Sequence, residues 1–126
     1  MPHLTLEYSD NVQAEQEWPE LFLALHSILA DVGGIRLENC KSRAYAAHNY
    51  LIGAGDNNAG FVHLDIRFVE GRSPEAIDSM GQELLKHLLS WFDVSQKSLD
   101  LQITVEIQDI QLARYFKYPA GTLTPQ

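Results

Sequence analysis

Twice along its 126 residues the chain repeats one order, strand, helix, strand, and that order limits the folds open to it more than any single motif does. Leu4, Leu6 and Tyr8 alternate with Thr5 and Glu7, the period of a strand with one buried face, and Ser9-Asp10-Asn11 ends it in a turn. Trp18-Pro19-Glu20 opens a helix at a place where proline is tolerated. Its stripe of Leu21, Leu25, Ile28, Leu29 and Val32 predicts a core face, and Gly33-Gly34 stops it. Cys40 to His48, with Lys41-Ser42-Arg43-Ala44-Tyr45-Ala46-Ala47, predicts a second strand of weaker alternation.

The second half repeats the first more cleanly. From Phe61 to Glu70, Val62, Leu64, Ile66 and Phe68 share one face while His63, Asp65 and Arg67 share the other. Gly71-Arg72-Ser73-Pro74-Glu75 is a helix start, with Ser73 as N-cap, Pro74 at the first helical position and Glu75 complementing the dipole. Ile77, Met80, Leu84, Leu88 and Trp91, widened by Leu85, Leu89 and Phe92, predict the buried stripe. Leu101, Ile103, Val105 and Ile107 then predict a last strand. Between the halves Gly53, Gly55, Asp56, Asn57, Asn58 and Gly60 are expected to form a glycine-rich hairpin. Gly53-Ala54-Gly55 lacks the third glycine and following helix that a dinucleotide cradle requires.

Each half is a βαβ unit, which right-handed crossover geometry turns into a parallel strand pair with its helix on one side. Two units give an α+β fold: a four-stranded mixed sheet with both helices on one face. The expected organisation is one domain over 1–126, with halves of about 2–50 and 60–109. A tail of 110–126 keeps Leu112, Tyr115, Phe116 and Tyr118, which is too aromatic for a disordered segment. The second sheet face is left without a cover, and copies of the same chain would supply one.

Seventeen acidic residues against nine basic ones give a formal charge of −8, which argues against nucleic acid or an anionic membrane surface as partner. Any bound anion must meet a local cationic cluster. The single Cys40 forms no intrachain disulfide, no run of about 20 apolar residues is present, and the expected location is the cytoplasm.

Pro2 is the unusual residue. Removal of Met1 ahead of it would leave a secondary amine at the open end of the first strand, already fixed in a ring and able to carry a proton if its pKa is drawn toward neutrality. Pro2-His3-Leu4 with Glu7 and Ser9-Asp10-Asn11 resembles the opening of the 5-carboxymethyl-2-hydroxymuconate isomerases, within the tautomerase superfamily. Phe61-Val62-His63 followed by Gly71-Arg72-Ser73 is similar to a second segment of that family.

The resemblance implies a tautomerase fold like that of macrophage migration inhibitory factor, assembled as a homotrimer. It also implies a cofactor-free isomerase in which Pro2 moves a proton from the 2-hydroxyl of a muconate to C5, in the breakdown of homoprotocatechuate, an aromatic acid. Such chemistry needs one base and cations that hold carboxylates and the developing dienolate. It fits a chain without zinc-type Cys/His spacing, a Walker loop or a G-x-S-x-G elbow. Two readings stay open beside it: a tautomerase of a phenylenolpyruvate or another 2-hydroxydienoate, and a non-catalytic trimeric binding module of the same fold.

The candidate cations are Arg72, before the second helix, and Lys41 with Arg43, two residues apart on one strand face. The resemblance implies substrate contact for Arg72. It also implies an arginine where this chain has Lys41, and lysine offers a point charge in place of a planar fork. Either Lys41 substitutes electrostatically, or Arg43 or Arg36 takes over, and Arg72 is ranked first. His3 adjoins the base and is expected to donate to a substrate carboxylate or to hold the strand end. His63 with Asp65 is expected to be a structural pair, with no metal assigned.

Overall fold

The computed structural model describes residues 1–12, 17–55 and 58–119. Its strands are β1 (His3–Ser9), β2 (Lys41–Ala47), β3 (Ala59–Val69) and β4 (Asp100–Ile110). Its helices are α1 (Trp18–Gly33), α2 (Pro74–Trp91) and the short α3 (Asp93–Ser98). Single 3-10 turns, Leu37–Asn39 and Leu112–Arg114, precede β2 and follow β4.

The sheet order is β2-β1-β3-β4, with β1 parallel to β2, β1 antiparallel to β3, and β3 parallel to β4. This is the α+β arrangement expected from two βαβ units. One face of the sheet carries Leu4, Leu6, Val62, Leu64, Ile66 and Phe68, all buried with Leu21, Leu25 and Leu29 of α1 and Met80, Leu84 and Leu88 of α2. Burial of each such side chain is worth about 1.5–3 kcal/mol, so this apolar layer is what holds the halves together.

The ends of the helices follow local chemistry. Ser73 Oγ accepts from Ala76 N at 3.1 Å, so α2 is capped as the sequence predicts. Gly34 closes α1 at φ 67°, a left-handed conformation that a side chain would strain. Two expected core residues are turned out: Val32 is 38% exposed and Leu89 43%. At the end of α1 the buried place goes instead to Gly33, where any Cβ would run into Met80 Sδ. The missing side chain lets the two helices approach, and Val32 is rotated off the contact.

The expected hairpin does not form. β2 and β3 are not neighbours, because β1 lies between them and pairs with both. The centre of the sheet takes the strands whose inner residues are large and fully buried, while Ala44 and Ala46 leave β2 suited to an edge. The connection therefore crosses the end of β1, where Asn11 Nδ2 donates to Ala59 O at 2.8 Å and Phe61 N donates to buried Ser9 Oγ at 2.9 Å. Asp56 and Asn57 of that connection, and 120–126 of the tail, lie outside the described residues.

Candidate active site

Alternation places every second residue of the sheet on the face without helices, and the register sorts those residues into rungs. Lys41, His3, Arg67 and Gln108 form the rung nearest the amino terminus. Arg43, Thr5, Asp65 and Glu106 form the next, and Tyr45, Glu7, His63 and Thr104 the third. The open face is polar, and it is graded: basic at the amino-terminal end, acidic beyond it. A cleft of about 790 Å³ runs over it, lined among others by His3, Arg43, Arg67, Arg114 and Tyr115.

Pro2 lies just outside the first rung and is buried. Its carbonyl accepts from Lys41 N at 3.1 Å, so the first residue of β2 is pinned beside it. The terminal amine, here carried by Met1, has its pKa lowered to about 5 from an ordinary value of 8.0. Burial contributes most, then a hydrogen bond with the Lys41 side chain and the charges of Lys41 and Lys117, with Cys40 opposing. The Pro2 nitrogen lies one residue inward of that amine. Arg36, the other sequence candidate for the family arginine, is 66% exposed and paired with Glu38 at 3.0 Å.

His3 is engaged on both ring nitrogens. Arg43 Nη1 lies 3.1 Å from Nδ1 and Tyr115 Oη 3.2 Å from Nε2. Its pKa is lowered, chiefly by burial and then by the amino terminus, Arg43 and Lys41, so the ring is kept neutral. His3 thus links Arg43 to the segment after β4.

Arg72 stands on the helix side of the same sheet end. Its guanidinium carbon is 6.0 Å from the centroid of the Phe68 ring, and Nε and Nη2 are buried without a hydrogen-bond partner among the described residues. Burial lowers its pKa, and an anion arriving there would find two unused donors. The structure therefore places Lys41 beside Pro2 and Arg43 beside His3, with Arg72 on the helix side of the same sheet end.

His63, Asp65 and Glu106 hold donor atoms within 4.8 Å of one another on the open face. Both Asp65 oxygens already accept, from Arg67 Nε at 3.2 Å and Gln108 Nε2 at 2.7 Å, and His63 Nδ1 is 2.7 Å from Thr104 Oγ1. Sequence reasoning missed Arg114 and Tyr115 as residues of the cleft. The aromatic tail was its only signal.

Known proteins share this fold. A 5-carboxymethyl-2-hydroxymuconate Delta-isomerase of Escherichia coli is 28% identical over 117 residues, 93% of each chain. A crystal structure of a 5-carboxymethyl-2-hydroxymuconate isomerase from Deinococcus radiodurans R1 superposes with a TM-score of 0.83 at 31% identity, over 92% of this chain and 87% of that one. A fused 4-OT symmetric trimer, 17% identical with a TM-score of 0.71, covers 96% of this chain and is covered over 95%. A macrophage migration inhibitory factor-like protein from Entamoeba histolytica, 16% identical with a TM-score of 0.66, covers 92% and is covered over 94%. At those identities the last two share the fold alone. The family model described as 5-carboxymethyl-2-hydroxymuconate isomerase matches residues 2–120, and with the fold and the guarded amino-terminal strand in view, the chain belongs to that family of isomerases.

Proposed function

We propose that the protein is a cofactor-independent isomerase of 5-carboxymethyl-2-hydroxymuconate or a close relative, with Pro2 nitrogen as the proton carrier, in the catabolism of homoprotocatechuate. The unprotonated ring amine takes the proton of the substrate 2-hydroxyl. Electron density moves through the conjugated system, and the same nitrogen returns the proton to C5, leaving a 2-oxo product. Lys41 beside the amine serves twice: it disfavours the protonated amine, and it stabilises the negative charge that develops on the substrate oxygen. Arg72, with two unused donors at the same sheet end, is the second candidate for a substrate carboxylate, and Arg43 acts from the open face.

The observation that carries this reading is the place of Pro2, buried at the end of β1 with its carbonyl accepting from Lys41 N at 3.1 Å, where burial and Lys41 lower the pKa of the Met1 amine just outside it. The same surroundings would favour the free-base form of an amine on Pro2, which the first proton transfer demands. Support for a homotrimer comes from the symmetric-trimer architecture of a protein with this fold and from a cleft on the sheet face without helices. A free cysteine suits the cytoplasm, where thiols stay reduced.

The test is an ultraviolet assay of enol disappearance with the intact mass of the same sample recorded. Protein starting at Pro2 is expected to be active. Protein retaining Met1 carries an amide at Pro2 and is expected to lose activity by a factor of about 10² or more, the usual worth of a positioned general base. Equal activity of the two forms, or of Pro2→Ala and wild type, would refute the mechanism. A substrate lacking the carboxymethyl arm, turned over as well as the full one, would favour the smaller 2-hydroxydienoates.

A further inference from the structure

The segment after β4 turns one side to its own chain and the other to solvent. Tyr115 is extended, at φ −114° and ψ 113°, and neighbouring residues of an extended chain point to opposite sides. Tyr115 Oη meets His3 Nε2 at 3.2 Å, and Lys117 helps to lower the pKa of the Met1 amine, so both face the amino-terminal end of β1. Phe116 and Tyr118 are left facing away, 91% and 97% exposed. Two aromatic rings stand in water on a segment anchored at Leu112, by Glu70, and at Tyr115, by His3.

A surface of matching character lies at the β4 edge of the sheet, on the helix side. Between α2 and this edge strand runs an apolar groove of about 480 Å³, lined by Ile77, Gly81, Leu85, Ile103, Val105 and Ile107. Gly81 leaves it open, since a Cβ there would stand 3.8 Å from Ile107 Cδ1. Asp78 lines the groove as well, with Glu75 one turn earlier on α2. The chain over 110–126 has the opposite sign, with Arg114 and Lys117 and no acidic residue. Among the described residues none of these four charges enters an ion pair. The segment does not serve the groove of its own chain, because Tyr115 is held at β1, two strands from β4 and on the other face of the sheet.

We infer that residues 116–118 are an arm that docks into the α2–β4 groove of a second copy of this chain, with the rings of Phe116 and Tyr118 against its apolar lining and the acidic rim at Glu75 and Asp78 receiving a positively charged segment. The two patches differ, so the contact is heterologous: each copy gives an arm and receives one, and a rotation that closes makes a ring. Arm and groove lie at one level of the sheet, since Ile107 is in register through Ile66 with Leu4, next to His3. A rotation about an axis along the strands therefore needs no shift to bring them together. The inference rests on the homotrimer reading for the number of copies and is independent of the isomerase chemistry. Docking also holds Tyr115 and Lys117, on the inner side of the arm, over the amino-terminal end of each subunit.

A disulfide across the contact tests it. Tyr118→Cys and Gln82→Cys, the latter lining the groove, are combined in one Cys40→Ser chain and oxidised. The expected product on a denaturing gel is a ladder that ends at three chains. Phe116→Ser/Tyr118→Ser, which removes both rings, should raise the concentration at which the assembly half-dissociates in sedimentation by about 100-fold or more. Leu23→Ser, which removes an exposed apolar side chain from α1, should leave that concentration unchanged. Circular dichroism checks that each variant is folded. In a wild type that sediments as a trimer, a missing ladder or an undiminished association of the serine variant overturns the docking and leaves the homotrimer reading standing. A monomeric wild type overturns both. A ladder that ends at another number of chains upholds the docking and counts against the trimer alone.

Discussion

The two faces of the sheet use the same strands and obey opposite rules. The helix face is built from Leu4, Leu6, Val62, Leu64, Ile66 and Phe68, whose positions are interchangeable in chemistry and differ in shape. The open face is built from residues that differ in charge from rung to rung, Lys41-His3-Arg67, then Arg43-Thr5-Asp65, then Tyr45-Glu7-His63. Apolar burial is non-directional, so the helix face determines that the chain folds. Hydrogen bonds are directional and charges discriminate by sign, so on the proposed reading the polar residues determine what the folded chain holds.

The largest effect expected of this division is on the amine. Lys41 lowers the pKa of the Met1 amine, and on the proposed reading its charge acts likewise on a Pro2 amine, so Lys41→Ala raises that pKa. The acidic limb of kcat/KM should move to higher pH by about one unit, with a loss of about tenfold on that limb. A limb that stays where it is would detach Lys41 from the base.

Next comes the buried layer. Leu64→Ala should destabilise the protein by about 2–5 kcal/mol in urea unfolding, whereas Glu106→Gln, facing it across the sheet, should change stability by less than about 0.5 kcal/mol. Comparable losses from the two would erase the distinction between faces. Ser73→Ala, at the seam where α2 begins beside Arg72, should lose about 1 kcal/mol through its cap.

The smallest effect concerns pH. His3 and His26 both have lowered pKa values in the folded protein, with burial the first cause in each. The unfolded chain binds protons at the ordinary 6.5 and the folded chain only at lower pH, so stability falls as pH drops below about 6.5. His3→Gln and His26→Gln should each flatten that fall in urea titrations from pH 7 to pH 5. His26, 2.6 Å from Ser42 Oγ on the helix side, gives the comparison with His3 on the open side.

Much of the helix face was legible in the sequence because its signals are local. Alternation predicts β1 and β3, Ser73 and Pro74 predict the start of α2, and Gly34 predicts the end of α1. Val32 and the glycine-rich connection were misread for one reason. Gly33 meeting Met80, and β1 inserted between β2 and β3, are contacts between distant residues that no periodicity encodes. The candidate site divides the same way. Pro2, Lys41, Arg43 and His3 could be named from their order along the chain, whereas Tyr115 lies 112 residues from its partner His3.

By itself the sequence determined which residues can be buried, where each helix begins, and that a proline stands at the end of an amphipathic strand, because these depend on side-chain chemistry and neighbours a few residues away. Only the tertiary structure decided that Lys41 reaches the terminal amine, that Arg72 stands over the Phe68 ring, and that Tyr115 returns to His3. Strand register and chain reversal set those distances, and at a few ångströms a distance settles whether a charge or a hydrogen bond acts at all.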